Sequence, residues 1–180
     1  GLVAQCDLFH FGYPPIMRRM YTTRGEELAE VFRRAKAVGA TTSLDMAALD
    51  PTTESGRADW RTILRAALPY VDIFMPSLPE ILYALRRDEF DRLTGAALGG
   101  DLLDQVTPEL LADLSAEIIG MGVKVLGLKL GHRGLYLRTA RQAALEQMGR
   151  AAPRDLAGWS NREYLSPCFH VQVVGTTGAG

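Results

Sequence analysis

Three short segments of this 180-residue chain carry residue types that could handle a phosphate. Val173-Val174-Gly175-Thr176-Thr177-Gly178-Ala179-Gly180 is a β-branched run breaking into a glycine-rich turn. Such a turn leaves backbone N–H groups free to converge on an anion where a helix begins. Its G-x-x-x-x-G spacing is the first part of a P-loop whose Lys-Ser/Thr would fall beyond Gly180. It is equally T-x-G-A-G, an anion hole in which the next residue would be a catalytic carboxylate. An ordinary strand-to-helix turn with glycines for close packing has the same pattern. In the second segment, Gly127 to Gly134, Lys129 sits at a strand end before a turn whose glycines let the backbone approach a ligand. A plain hairpin with an exposed lysine is the simpler alternative, and the dinucleotide G-x-G-x-x-G spacing is absent. The third segment is Asp72-Ile73-Phe74-Met75-Pro76-Ser77-Leu78-Pro79-Glu80. Ser77 can cap a helix with Glu80 at the N3 position of a capping box. A carboxylate there can also organise a hydrated Mg²⁺ beside bound phosphates. His10, His132 and His170 share no metal-ligand spacing; His132 is placed either against a nucleotide or in solvent on its turn.

The elements that must hold these segments follow from apolar periodicity and turn residues. Cys6 to Tyr13 is apolar and aromatic up to Pro14-Pro15, which predicts a buried strand. Thr23 and Glu26 form a capping-box signature for a helix that turns Leu28, Val31, Phe32 and Ala35 inward and closes at Gly39. Ala40 to Leu44 reads as a short strand reaching Asp45. A polar linker from Asp50 to Gly56 then precedes a helix from about Trp60 to Leu68, with Ile63, Leu64 and Ala67 inward. Tyr70 to Met75 predicts a strand, about Pro79 to Arg87 a helix, and Gly95 to Gly100 a loop. Thr107 and Pro108 open a helix that buries Leu110, Leu111, Leu114 and Ile118. Val123 to Leu130 is a strand covered on both faces, and Leu135 to Thr139 is its hairpin partner. Residues 140–168 stay ambiguous: Ala140 to Met148 favours helix, and Trp159 to Ser166 a loop or edge strand. His170 to Val174 is the expected last strand.

This alternation is the grammar of a parallel sheet with helices on both faces. Ligands of such sheets bind beyond the carboxyl ends of the strands. The positions of interest are therefore Gly12 to Pro15, Asp45, Ser77 to Glu80, Lys129 to Gly134 and Gly175 to Gly180.

A net charge of −1 gives no basic field for nucleic acid or for an anionic membrane. Only three of the 20 basic residues are lysines, which singles out Lys129 further. Cys6 and Cys168 are far apart, without C-x-x-C spacing, so a reduced protein without structural zinc is expected. No apolar run reaches the roughly 18 residues of a membrane span, and no signal-peptide pattern opens the chain. A soluble, cytoplasmic protein is expected. Gly1 in place of Met, and a glycine loop just opening at Gly180, predict one domain over residues 1–180, cut at both ends.

Together and in this order, the segments resemble the ribokinase-like carbohydrate kinases, the PfkB family. Val71 to Glu80 is similar to the family's V-D-x-x-x-P-N-x-x-E segment, Leu128 to Gly134 to its K-L-G-x-x-G strand and turn, and Val174 to Gly180 to the start of its D-T-x-G-A-G-D signature. The resemblance implies an α/β fold: a three-layer αβα domain with a mostly parallel sheet. It implies transfer of the γ-phosphoryl of ATP to a sugar or a related small alcohol, with Mg²⁺. By position, Gly178, Ala179 and Gly180 would form the anion hole, and the catalytic Asp would follow Gly180. Thr177 would lie at the nucleotide, and Lys129, Gly131, His132, Arg133 and Gly134 along the ATP. Ser77 would face nucleotide phosphates, and Glu80 would hold Mg²⁺ through water.

Two positions depart from the pattern. Ser77 stands where the family has Asn, and Gly175 where it has an Asp tied to a monovalent-cation site, so potassium activation is not expected. Gly12 to Pro15 and Asp45 to Ala47 are candidates to meet substrate. Family dimers often use a lid that would precede this segment, which leaves room for a homodimer of the full-length protein. Two other readings remain: a P-loop NTPase interrupted within its Walker motif, and a non-catalytic kinase-like ligand-binding module. The residue after Gly180 separates the first pair, Asp for the kinase and Lys for the P-loop.

Overall fold

In the computed structural model, which describes residues 1–169, six strands form one mixed sheet in sequential order, β1 to β6. They are β1 (Leu8–Phe11), β2 (Thr41–Leu44), β3 (Ile73–Phe74), β4 (Val125–Lys129), β5 (Leu135–Thr139) and β6 (Glu163–Ser166). The first four run parallel, and β5 and β6 are antiparallel to their neighbours. The helices are α1 (Arg18–Thr22), α2 (Glu26–Ala37), α3 (Trp60–Ala67), α4 (Leu78–Leu85), α5 (Arg87–Ala96), α6 (Pro108–Gly120), α7 (Gln142–Leu145) and α8 (Leu156–Trp159). The expected strand from His170 to Val174 lies outside the described residues.

Sequential order with right-handed crossovers puts the connecting helices on one face. The main core is there: Leu28 and Phe32 of α2, Ile63 and Leu64 of α3, Leu82 of α4 and Leu114 of α6 pack on Leu44, Phe74, Leu126 and Leu128. The pleat sends alternate side chains the other way. Ile73, Val125 and Leu137 meet Leu145, Met148 and Leu156 from the segment holding α7 and α8. Helices, sheet and a thinner second helical layer make the expected α/β arrangement.

Several local readings are corrected. The first strand is half-exposed rather than buried, because it is the edge strand of the described sheet and pairs only with β2. Phe9 and Phe11 turn inward to meet Phe32 edge-on, each at 6.1 Å between ring centroids. The Thr23–Glu26 capping box does not form. Gly25, at φ 90°, caps α2, and Thr23 Oγ1 accepts the Glu27 N–H at 3.2 Å. Only glycine suits that position: a Cβ would lie 2.6 Å from the Ile63 carbonyl where α2 and α3 touch. The strand expected from Tyr70 shrinks to two residues, since Leu68–Tyr70 form a 3₁₀ turn around Pro69. The helix expected through Arg87 breaks at Arg86, and α5 follows it.

The polar residue at the centre of this packing is Asp72, which is fully buried beside β3. Its carboxylate accepts Lys36 Nζ of α2 at 2.7 and 3.0 Å and the Thr42 N–H of β2 at 3.0 Å, with Lys124 Nζ at 3.5 Å. Burial pushes the Lys124 ammonium below the ordinary lysine value, and Asp72 pulls it partly back. Removing one partner of such a pair strands the other charges, so Asp72→Ala should cost about 3–5 kcal/mol of unfolding free energy in a urea titration. The stranded Lys124, already lowered by burial, should then lose the carboxylate that pulls it back. The cost should therefore be full at neutral pH and shrink as pH rises through that lowered value towards the unfolded lysine value.

Candidate functional site

The carboxyl ends of β2, β3 and β4 deliver Asp45, Ser77 and Lys129 to one edge of the sheet. The Lys129 N–H donates to the Pro76 carbonyl at 3.0 Å, and Ser77 and Lys129 form a parallel bridge just past the end of β3. Ser77 caps α4 in a complete capping box. Its Oγ accepts the Glu80 N–H at 3.4 Å, and Glu80 Oε2 accepts the Ser77 N–H at 2.9 Å. The box fixes both side chains at the mouth of the edge and leaves Glu80 Oε1 outside it.

Beyond β4 the chain makes a 3₁₀ turn, Gly131–Arg133, and re-enters the sheet through Gly134. Gly134 has φ 103°, and a Cβ there would fall 2.0 Å from the Ser166 carbonyl of β6. Glycine is thus required for the hairpin to pair edge to edge with β6. The result is a cleft of about 560 Å³ whose walls include Ser77, Glu80, Lys129, Gly131, Gly134 and Cys168. That volume lies within the range of small-molecule sites. The Cys168 thiol donates to the Gly131 carbonyl at 3.2 Å, and Leu103, Leu135 and Phe169 add apolar wall.

Five of the residues singled out by sequence therefore meet in one cleft. His132 and Arg133 are not among its walls. The His132 ring faces Asp101 and Asp104 at 3.4 and 3.5 Å and is more than half exposed. The Arg133 guanidinium donates to the Leu103 and Val106 carbonyls, which ties the turn to the segment before α6. Thr177, Gly178, Ala179 and Gly180 lie outside the described residues.

Lys129 is not the exposed lysine of a plain hairpin, the simpler alternative above, but one half of an ion pair. Its Nζ lies 2.9 and 3.0 Å from the two carboxylate oxygens of Asp45, across the end of β3. Both side chains are partly buried, Asp45 the more so. The pairing depends on strand order, so a single sequence showed only that both residues end strands. A second cavity, of about 400 Å³, opens beside α3 and α4 next to Arg57, Arg61 and Arg87. Those guanidiniums are already occupied by the Thr52 carbonyl, by the Leu85 carbonyl with Glu117, and by Asp91. Among the described residues no strand end reaches it, so the cleft at the carboxyl edge is the better candidate.

Among the described residues no group of three or more His, Cys, Asp or Glu side chains is placed to hold a metal ion. A cation here would need ligands from a bound molecule or from water. No described helix is long and apolar enough to cross a membrane.

Losing the cap should be measurable by itself. Ser77→Ala should cost about 1 kcal/mol in thermal or urea unfolding, whereas Ser77→Asn, an equally good N-cap, should change stability by only a few tenths of that.

No protein-family model matches this chain, and no curated protein matches it in sequence. Solved structures do. The chain aligns over 99% of its length with the fructokinase with bound ATP from Xylella fastidiosa, at 17% identity and a TM-score of 0.57. It aligns over 99% with the Arabidopsis thaliana ribokinase complexed with ribose and ATP, at 18% and 0.55. It aligns over 96% with the aminoimidazole riboside kinase from Salmonella enterica complexed with aminoimidazole riboside and an ATP analogue, at 20% and 0.53. At identities this low, the structural match shows a shared fold and nothing finer. The chain spans 42%, 40% and 43% of those proteins' own lengths.

Proposed function

We propose that this chain is part of an ATP-dependent kinase that phosphorylates a sugar or a related small alcohol. The observation that carries the reading is the cleft itself. Ser77, Glu80, Lys129, Gly131 and Gly134 were picked from separate segments, and they line one cavity at the ligand-binding edge of a sugar-kinase fold. Phosphoryl transfer asks a protein mainly for positioning and for charge stabilisation. Lys129 offers the cleft its cation, and the backbone at Gly131 and Gly134 forms part of the same wall. Ser77 presents a hydroxyl already fixed by the helix cap.

Glu80 fits a water-mediated Mg²⁺. One carboxylate oxygen holds the capping box, and the other is left for a cation that keeps most of its own water and takes its remaining ligands from phosphates. Gly178, Ala179 and Gly180 are assigned to the anion hole, Thr177 to the nucleotide, and the residue after Gly180 to the base that takes the acceptor's proton. His132 and Arg133 support the turn rather than touch ATP. The exposed free thiols of Cys6 and Cys168 suit a reducing cytoplasm.

The test is a panel of sugars, nucleosides and small alcohols with Mg-ATP, read as ADP release from the full-length protein. At least one acceptor should raise ADP release above the acceptor-free rate. The encoded residue after Gly180 should be Asp, and its replacement by Asn should lower kcat by about 10²–10⁴-fold, the usual worth of a general base. A Lys at that position, or a panel without turnover, would overturn the kinase reading. The chain ending at Gly180 should be inactive, and robust turnover by it would refute the assignment of the base.

A further inference from the structure

Two of the three lysines are committed to Asp72, and Lys129 is the one that reaches the carboxyl edge of the sheet. Lys129 closes β4 and Asp45 follows β2, with β3 between them. Their ion pair therefore crosses two strand spacings, roughly 10 Å. Holding a long flexible side chain out over that span loses rotamer entropy, so the carboxylate must hold it there.

The two partners are not anchored alike. Asp45 also accepts the Met46 N–H on Oδ1 at 2.8 Å. Its own backbone is pinned to the chain around β1, donating to the Phe11 carbonyl and accepting the Tyr13 N–H. Among the described residues, Lys129 Nζ has only the two Asp45 oxygens as acceptors. An ammonium has three donors on a four-carbon stem, and this one lies along the wall of the cleft. The carboxylate is a fixed post and the ammonium is the partner able to move.

We propose that Asp45 is the resting counter-ion of Lys129, from which the ammonium turns towards a phosphate group entering the cleft, which makes Asp45 a positioning residue for phosphoryl transfer. This rests on the kinase reading above. Anion binding then works against the Asp45 pair, and the same pair keeps the ammonium on the line between the nucleotide side of the edge and the β1–β2 side. Removing the post frees the cation to bind anions more tightly but leaves it without a defined position.

The experiment measures binding of inorganic tripolyphosphate to the full-length protein by calorimetry, with steady-state kinetics on Mg-ATP beside it. Asp45→Asn is nearly isosteric and keeps an oxygen for the Met46 N–H. It should bind tripolyphosphate about three- to tenfold more tightly than the natural protein. Its kcat should fall about tenfold or more, with KM for ATP unchanged or lower. Lys129→Met should weaken tripolyphosphate about tenfold, and adding Asp45→Asn to it should recover about threefold, because a pinned carboxylate without its cation repels the anion. A structural strut would not give that recovery. Weaker tripolyphosphate binding by Asp45→Asn, or a double variant no better than Lys129→Met, would overturn the proposal. Absence of Mg-ATP turnover in the natural protein would overturn the kinase reading instead, and the tripolyphosphate series would still decide whether the counter-ion exchange occurs.

Discussion

The Asp72 carboxylate has no contact with solvent, and it joins α2, β2, β3 and the start of β4 through one buried set of charges. A buried anion must be paired, or the folded state carries a cost of several kcal/mol. Lys36, Lys124 and the Thr42 N–H are therefore not free to drift. The Asp72 backbone joins in as well, since its carbonyl accepts the N–H groups of Lys124 and Val125. The central strand has only two residues in regular pairing. Such a short strand has little ladder of its own to define its register, and the charge cluster supplies what the ladder lacks.

A register fixed at one end of three strands is also fixed at the other. With β2, β3 and β4 aligned at Asp72, their carboxyl ends bring Asp45, Ser77 and Lys129 to one edge, where the second ion pair closes over β3. The two clusters use all three lysines of the chain. The arginines lie mostly on the surface, in pairs such as Arg18–Glu54 and Arg87–Asp91. Exposed pairs of that kind contribute little to stability. The compact, movable ammonium is kept for the sheet's interior and its ligand edge, and the planar guanidinium for helix faces and carbonyl clamps.

Much of this was legible in the sequence because it rests on local chemistry. Helix α6 begins where Thr107-Pro108 says it must, and the Thr107 hydroxyl accepts the Leu110 N–H. The Ser77–Glu80 box and the β4–β5 hairpin were likewise readable from residue type and spacing. The features that were not legible depend on which strands become neighbours. Asp45 and Lys129 are 84 residues apart and meet only because β3 lies between their strands. The exposure of β1 follows from its place at the edge, not from its apolar composition. Thr23 and Glu26 have the pattern of a cap, but close contact between α2 and α3 favours Gly25. His132 and Arg133 belong to a motif, and the carbonyls and carboxylates around the turn, set by tertiary packing, take their side chains away from the cleft.

The central question for this molecule is whether the carboxyl-edge cleft holds a nucleotide's phosphates. The most direct measurement is a crystal structure of the full-length protein with Mg²⁺ and a non-hydrolysable ATP analogue. Phosphate oxygens should lie within hydrogen-bonding distance, about 2.7–3.2 Å, of Lys129 Nζ, with the metal's water shell reaching Glu80. An analogue bound elsewhere, such as against Arg57 and Arg61 beside α3, with the Ser77–Lys129 cleft empty, would contradict that placement.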